Sequence, residues 1–169
     1  IQLVAAGVVC VAGFVFEIVV VDNAPVMPFE LKEKYKNKIT LIRPGFNSGF
    51  SGGNNIGIKE ALRRGADYLL LINDDTTIFP DMIKNLKGVL ESSKEIGITS
   101  PKIYFAKGHE FHKDRYTEKQ LGHVFWYAGG YTDWDNAKSV HRGVDMPDTG
   151  QYEKTEEIDC IFTKPKTRG

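Results

Sequence analysis

Glu17-Ile18-Val19-Val20-Val21-Asp22 decides the reading of this chain. Four consecutive β-branched residues leave no polar face, so the run reads as a strand buried on both sides, the kind found in parallel sheets. It stops on Asp22-Asn23-Ala24-Pro25, a turn signal. The pattern recurs at Ile39-Thr40-Leu41-Ile42, stopped by Pro44-Gly45, and at residues 67–72, which end on Asn73-Asp74-Asp75-Thr76. Helix signals lie between the strands. Residues 29–37 form a short polar candidate. A glycine-rich loop over residues 45–53 runs into a second helix, with Ile58, Ala61, Leu62 and Gly65 on one face and Gly65 as its stop. A third has Pro80 near its first turn and Met82, Ile83, Leu86, Val89 and Leu90 as its apolar stripe. Residues 96–100 read as a fourth strand, closed by Pro101. Such alternation describes βαβ units, hence an α/β fold with a mostly parallel sheet flanked by helices.

Outside this block the signals weaken. Residues 1–16 carry no charge, a run a little short of the roughly 20 residues a spanning helix needs. Gly7, Gly13 and the many valines favour a buried strand there; a membrane-associated or altered N-terminus is the other reading. Beyond residue 105, residues 107–119 read as a surface loop holding His109 and His112. Val124-Phe125-Trp126-Tyr127 reads as a strand, Gly129-Gly130 as a turn, and residues 134–157 show no period. With 22 basic and 22 acidic residues among 169, the net charge is zero, which argues against a generally basic nucleic-acid binder. Cys10 and Cys160 supply neither a disulfide framework nor a CxxC pair.

Three polar clusters follow strands: Asp22-Asn23, residues 47–55, and Asn73-Asp74-Asp75. In an open parallel sheet the carboxyl ends of the strands form the rim where ligands bind. Glycines let backbone approach a ligand closely, and the following helix aims free N–H groups at an anion. The spacing is neither a Walker A loop nor a dinucleotide GxGxxG. Two adjacent carboxylates with an amide are hard oxygen donors suited to Mg²⁺ or Mn²⁺. Strand alternation would aim Asn73 and Asp75 together and Asp74 away, making Asp75 the direct ligand with Asn73 assisting. The competing reading has Asp75 or Thr77 capping the next helix.

Together, Glu17–Ala24, Asn47-Ser-Gly-Phe-Ser-Gly-Gly-Asn-Asn-Ile-Gly-Ile58 and Leu70-Leu-Ile-Asn-Asp-Asp-Thr76 resemble the family 2 glycosyltransferases, specifically the rhamnosyltransferase-like branch. Ser100–Phe105 and Gly143–Tyr152 resemble the later part of that branch. The resemblance implies a GT-A fold that transfers a sugar, with inversion, from a nucleotide donor to an acceptor hydroxyl in cell-surface polysaccharide or glycan synthesis. It places Asp22 and Asn23 beside the base or ribose. Asn47, Gly49, Gly53 and Asn55 would line the nucleotide and diphosphate pocket. Asn73-Asp74-Asp75 would take the place of the metal-binding D-x-D motif, with Mg²⁺ or Mn²⁺ on Asp75 and Asn73. The implied partners are a nucleotide-sugar donor and a glycan or lipid-linked acceptor, with no nucleic acid. A cytoplasmic location follows, with peripheral attachment at the inner face of the membrane as an option.

Two departures qualify the resemblance. Residues 1–15 do not match the strand and helix with which the family opens. Downstream, the acidic motif that supplies the general base does not occur before Gly169, and none of Asp133, Asp135, Asp145 or Asp148 matches it. The expectation is therefore one domain over residues 1–169, truncated at both ends: an atypical segment 1–15, a nucleotide-binding half 16–105, and the start of an acceptor-side half 106–169. A non-catalytic nucleotide-sugar binding fragment or degenerate homologue is the alternative; a nucleotidyltransferase lacks its Lys- or Arg-bearing glycine motif here. His141 and Arg142 read as either anion contacts or surface residues. Trp126 and Trp134 read as core in preference to sugar-stacking residues.

Overall fold

In the computed structural model, residues 17–23, 26 and 30–159 are described. The expectations for residues 1–16 lie outside them. The chain divides into two compact units, residues 1–78 and 79–169.

In the first unit, strand β1 (Ile18–Val21) runs parallel to β2 (Ile39–Ile42), with Ile18 opposite Ile39 and Val21 opposite Ile42. Asp22 N–H extends the ladder to the Ile42 carbonyl at 2.9 Å. Among the described residues, the connection between the strands contains a 3-10 turn, Glu33–Tyr35, where the sequence suggested a short helix. Helix α1 (Gly49–Arg63) follows β2 and packs on β1. Val19, Val21 and Ala61 form the core, with Ile42, Ile56 and Ala66 against it.

The α1 helix corrects two expectations. It begins at Gly49, inside the stretch read as loop, and its buried residues are Gly53, Asn54, Gly57 and Ala61. Gly53, Gly57 and Ala61 recur every fourth residue and so share a face. Leu62, expected on the buried face, is exposed. The intrinsic cost of glycine in a helix is about 1 kcal/mol each; it falls here in the helix that packs on β1 and places Ala61 in the core beside Val19 and Val21. Gly65 does end the helix, at φ +82°, a conformation that favours glycine. An ionic bridge ties the helix end to the strand start. Glu60 accepts from Arg63 and Arg64, and Arg64 reaches Glu17 at 3.2 Å. Arg63 and then Arg64 hold the Glu60 carboxyl down to about 2.

The expected third strand, residues 67–72, forms no ladder among the described residues; only Ile72 makes an isolated bridge. Residues 96–100 are likewise irregular. A strand exists only where a neighbour supplies hydrogen bonds, which apolar composition cannot guarantee.

The second unit opens on α2 (Met82–Ser92), whose predicted apolar stripe is half-buried. Strand β3 (Ile103–Tyr104) pairs antiparallel with β4 (Phe125–Tyr127), and β5 (Gly130–Asp133) forms a hairpin with β6 (Lys138–His141). The described sheets are thus one parallel and two antiparallel pairs, within an α/β class. Val124, Phe125, Tyr127 and Ala128 are buried. Tyr104 stacks on Phe125 with ring centroids 5.1 Å apart, and Tyr152 meets Phe125 edge-on at 5.4 Å. No helix among the described residues is long and apolar enough to cross a membrane.

Candidate functional site

The β1 end and the α1 start meet at one side chain. Asn23 is 3% exposed and uses both ends of its amide. Its Nδ2 donates to the Gly49 carbonyl at 2.9 Å and to Asn47 Oδ1 at 3.3 Å. Its Oδ1 accepts from Ser48 N–H at 3.0 Å and Ser48 Oγ–H at 2.8 Å. Asn47 Oδ1 also accepts Gly49 N–H at 2.9 Å. Two clusters that sequence reading placed at separate strand ends are therefore joined directly. Asn23 holds the loop–helix junction and is a positioning residue.

That junction has an electrostatic consequence. Ser48 occupies the N-cap, yet its hydroxyl serves Asn23 and makes no cap bond, and the first turn of α1 contains no acidic residue. The positive end of the helix dipole is not neutralised by a local carboxylate, a setting that favours an anion.

Asp22 lies beside Asn23, 3% exposed, with Arg43 Nε 3.4 Å from its Oδ2. Asn47 and Gly49 are exposed at the junction, and Gly49 adopts φ +70°. Gly53 is buried in α1, whereas Asn55 is on the exposed side of the same helix. Its neighbour Asn54, which the sequence reading did not single out, is the buried amide. No local pattern distinguishes the two; the helix phase against β1 does.

Asn73, Asp74 and Asp75 are exposed, with Asp74 and Asp75 in a turn. Strand alternation therefore does not sort their directions. Neither Asp74 nor Asp75 has a hydrogen-bonding or ionic partner among the described residues. The capping alternative fails, because the next helix starts at Met82 with Asp81 at its N-cap. Among the described residues no three His, Cys, Asp or Glu side chains gather as a metal site. The donor set fits a Mg²⁺ or Mn²⁺ ion completed by water and phosphate oxygens, the usual manner for these cations, and does not make a closed protein cage.

Glycosyl transferase family 2 matches residues 8–148 by its family model. The chain belongs to this family. Membership brings with it the GT-A class of α/β fold. The chain is 35% identical over 77 residues to the dTDP-rhamnosyl transferase RfbF of Shigella flexneri, a span of 44% of this chain and 25% of that protein. It is 26% identical over 81 residues to an uncharacterized glycosyltransferase of Haemophilus influenzae, covering 48% and 26%. The chain thus spans about a quarter of the length of these curated relatives. No solved structure matches it.

In the second unit three of the four acids that do not match the general-base motif, Asp133, Asp145 and Asp148, are engaged. Asp145 binds His112 Nδ1 at 2.7 Å, Arg115 Nη1 at 2.9 Å and the Tyr116 hydroxyl at 2.6 Å. Burial and then the Asp145 carboxylate push the Tyr116 phenol up to about 12. Asp148 accepts from Tyr104, from Lys102 at 3.0 Å and from Gly150 N–H at 2.8 Å. Burial alone would raise its pKa, but the hydrogen bonds from Tyr104, Gly150 and Lys102 outweigh it and hold it low. Arg142 donates to the Ala128 carbonyl and Glu156, and His141 packs on the rings of Trp126 and Tyr127. His112, read as a solvated loop histidine, is part of the Asp145 cluster. Trp126 is half-buried, but Trp134, expected in the core, is 80% exposed beyond the end of β5.

Proposed function

We propose that the protein transfers a sugar from a nucleoside-diphosphate donor to an acceptor hydroxyl, with inversion, in a Mg²⁺- or Mn²⁺-dependent reaction. The observation that carries this reading is the family match over residues 8–148, read with the rim that Asn23 organises in the same stretch. On this reading the donor nucleotide lies at that rim. Asp22 is then the base or ribose contact, and the loop–helix junction at Asn47 and Gly49 faces the diphosphate. Asp75, with Asn73 and Asp74, would hold the cation. Bound there, it would supply Lewis-acid neutralisation of charge on the departing nucleoside diphosphate. The rhamnosyl transferase relative makes a dTDP-linked deoxyhexose the first donor to test. The acceptor would be a glycan or lipid-linked saccharide in cell-surface polysaccharide synthesis, on the cytoplasmic face of the membrane, with no nucleic acid involved.

Calorimetric titration with dTDP, UDP and GDP, with and without Mn²⁺, tests the reading. Metal-dependent binding of one of them, weakened about tenfold or more in Asp75→Asn, is expected. Absence of metal-dependent heat with all three would overturn it.

A further inference from the structure

We propose that the tip of the β5–β6 hairpin is a saccharide-binding platform, on which the Trp134 indole stacks a neutral pyranose ring of the acceptor; this rests on the sugar-transfer reading above. The starting point is a large ring left in water. Trp134 is 80% exposed, immediately after β5. A buried Trp takes roughly 150–250 Å² out of water, so a chain that leaves one outside forgoes a large apolar contribution.

The backbone beneath that ring is held from several sides. Asp133 lies opposite Lys138 at the strand ends, so residues 134–137 form the loop between them. Asp133 accepts the Asn136 N–H at 3.1 Å and the Asn136 side-chain amide at 2.8 Å, which closes the loop on itself. Ala137 adopts φ +49°, a left-handed conformation that costs a residue with a side chain about 1 kcal/mol. Below the loop the Thr132 and Ser139 hydroxyls meet across the strands at 3.2 Å. The other edge of β5 is tied as well: Thr132 N–H donates to Asp159 at 3.1 Å, and Asp159 N–H to the Gly130 carbonyl at 3.3 Å. Trp134 is thus presented on a loop whose backbone is set before a ligand arrives, which lowers the entropy lost on binding.

The surroundings of the ring select the ligand class. A pyranose has C–H faces and a rim of hydroxyls. The C–H face suits the negative π-face of an indole, and the hydroxyls call for acceptors and donors beside it. The exposed Asp135 carboxylate, with no hydrogen-bonding or ionic partner among the described residues, supplies an acceptor, and the exposed Lys138 ammonium a donor. Residues 133–138 carry two acids and one base. That balance disfavours an anionic lipid surface or a nucleic acid, both of which draw basic clusters. Charged residues are depleted from the cores of protein interfaces, yet acids flank Trp134 on both sides in the chain. A neutral saccharide meets neither objection.

Calorimetry and tryptophan fluorescence on the full chain test this, with methyl α-rhamnoside, maltotetraose and chitotetraose as probes and wild type, Trp134→Phe and Trp134→Ala as proteins. At least one probe should bind wild type saturably, with Kd on the order of 1 mM, and change its emission. Trp134→Ala should weaken that binding about tenfold or more. Trp134→Phe should keep calorimetric binding within about threefold but lose the emission change, since only the half-buried Trp126 then fluoresces. Both variants alter an exposed position, so their thermal melting should match wild type. No saturable binding of any probe up to about 20 mM overturns the inference, as does equal binding by Trp134→Ala. Trp134-dependent binding to phosphatidylglycerol vesicles without saccharide binding also overturns it, in favour of a membrane contact. Metal-dependent dTDP, UDP and GDP binding, measured in parallel, separates the two readings. If one of these nucleotides binds and no saccharide does, the donor reading stands and this inference falls; if saccharide binds and none of the nucleotides does, the donor reading fails and the assignment to the acceptor falls with it.

Discussion

Asp74 and Asp75 in the first unit contrast with Glu110, Asp145 and Asp148 in the second. The first pair is exposed in a turn with no partner among the described residues. The second group is consumed by its surroundings. Glu110 is 3% exposed and takes the Gly108 N–H at 2.8 Å and the Gly122 N–H at 2.6 Å, closing a loop. Asp145 and Asp148 fasten the segment around residues 143–151 to two other parts of the unit. An acid whose lone pairs are saturated holds chain together. One whose lone pairs face water remains able to bind a cation. The functional group is a carboxylate in both regions; only the partners differ.

Four measurements break or sharpen that contrast. Asn23→Ala should have the largest effect on stability, about 3 kcal/mol by chemical denaturation, because it deprives the loop–helix junction of several buried hydrogen bonds. A loss below about 1 kcal/mol would mean the junction holds itself. Glu110→Ala should cost about 2 kcal/mol, since two backbone N–H groups lose their acceptor.

Asp148→Asn should cost about 1 kcal/mol at neutral pH and flatten the acid limb of the stability curve. The sign follows from the lowered pKa. The contribution of Asp148 is fully present above its ordinary value of 3.8 and is lost as pH falls through the depressed folded value. Glu110 behaves in the same direction: burial opposes ionisation, but the Gly122 and Gly108 amides outweigh it, so its stabilisation also fades on acidification. A variant with an unchanged acid limb would remove Asp148 from that account. The double substitution Asp74→Asn and Asp75→Asn should shift stability by no more than about 0.5 kcal/mol, yet abolish metal-dependent nucleotide binding. A clear destabilisation would place these acids with the structural group.

Legibility in the sequence followed the range of the interaction. β1 and β2 were readable because runs such as Ile18–Val21 and Ile39–Ile42 are apolar on both faces, and the parallel pairing agrees. The α2 stripe and the stop at Gly65 were local signals as well. The helical start at Gly49 was not readable, since glycine disfavours helix and the Asn23 side chain that ties Ser48 and Gly49 lies 25 and 26 positions away. The β5–β6 hairpin was missed for a related reason. Its turn is closed by Asp133, which accepts the Asn136 N–H at 3.1 Å and the Asn136 side-chain amide at 2.8 Å, but Lys138–His141 shows little apolar alternation. At the site, Asp22, Asn23, Asn47 and Gly49 were all identifiable as polar or glycine residues after strands. That Asn23 is spent on Ser48 and Gly49 was not.

The order of apolar runs and polar strand ends, set by covalent spacing and the alternation of side chains, was enough to specify the α/β class and to mark polar strand-end residues as candidates. Which of those residues are spent on internal hydrogen bonds came only from tertiary structure. A hydrogen-bonding group is committed or available according to what lies within about 3 Å of it. For Asn23 and Ser48 those neighbours lie 25 positions apart in the chain, and for Asp148 and Tyr104 they lie 44 apart.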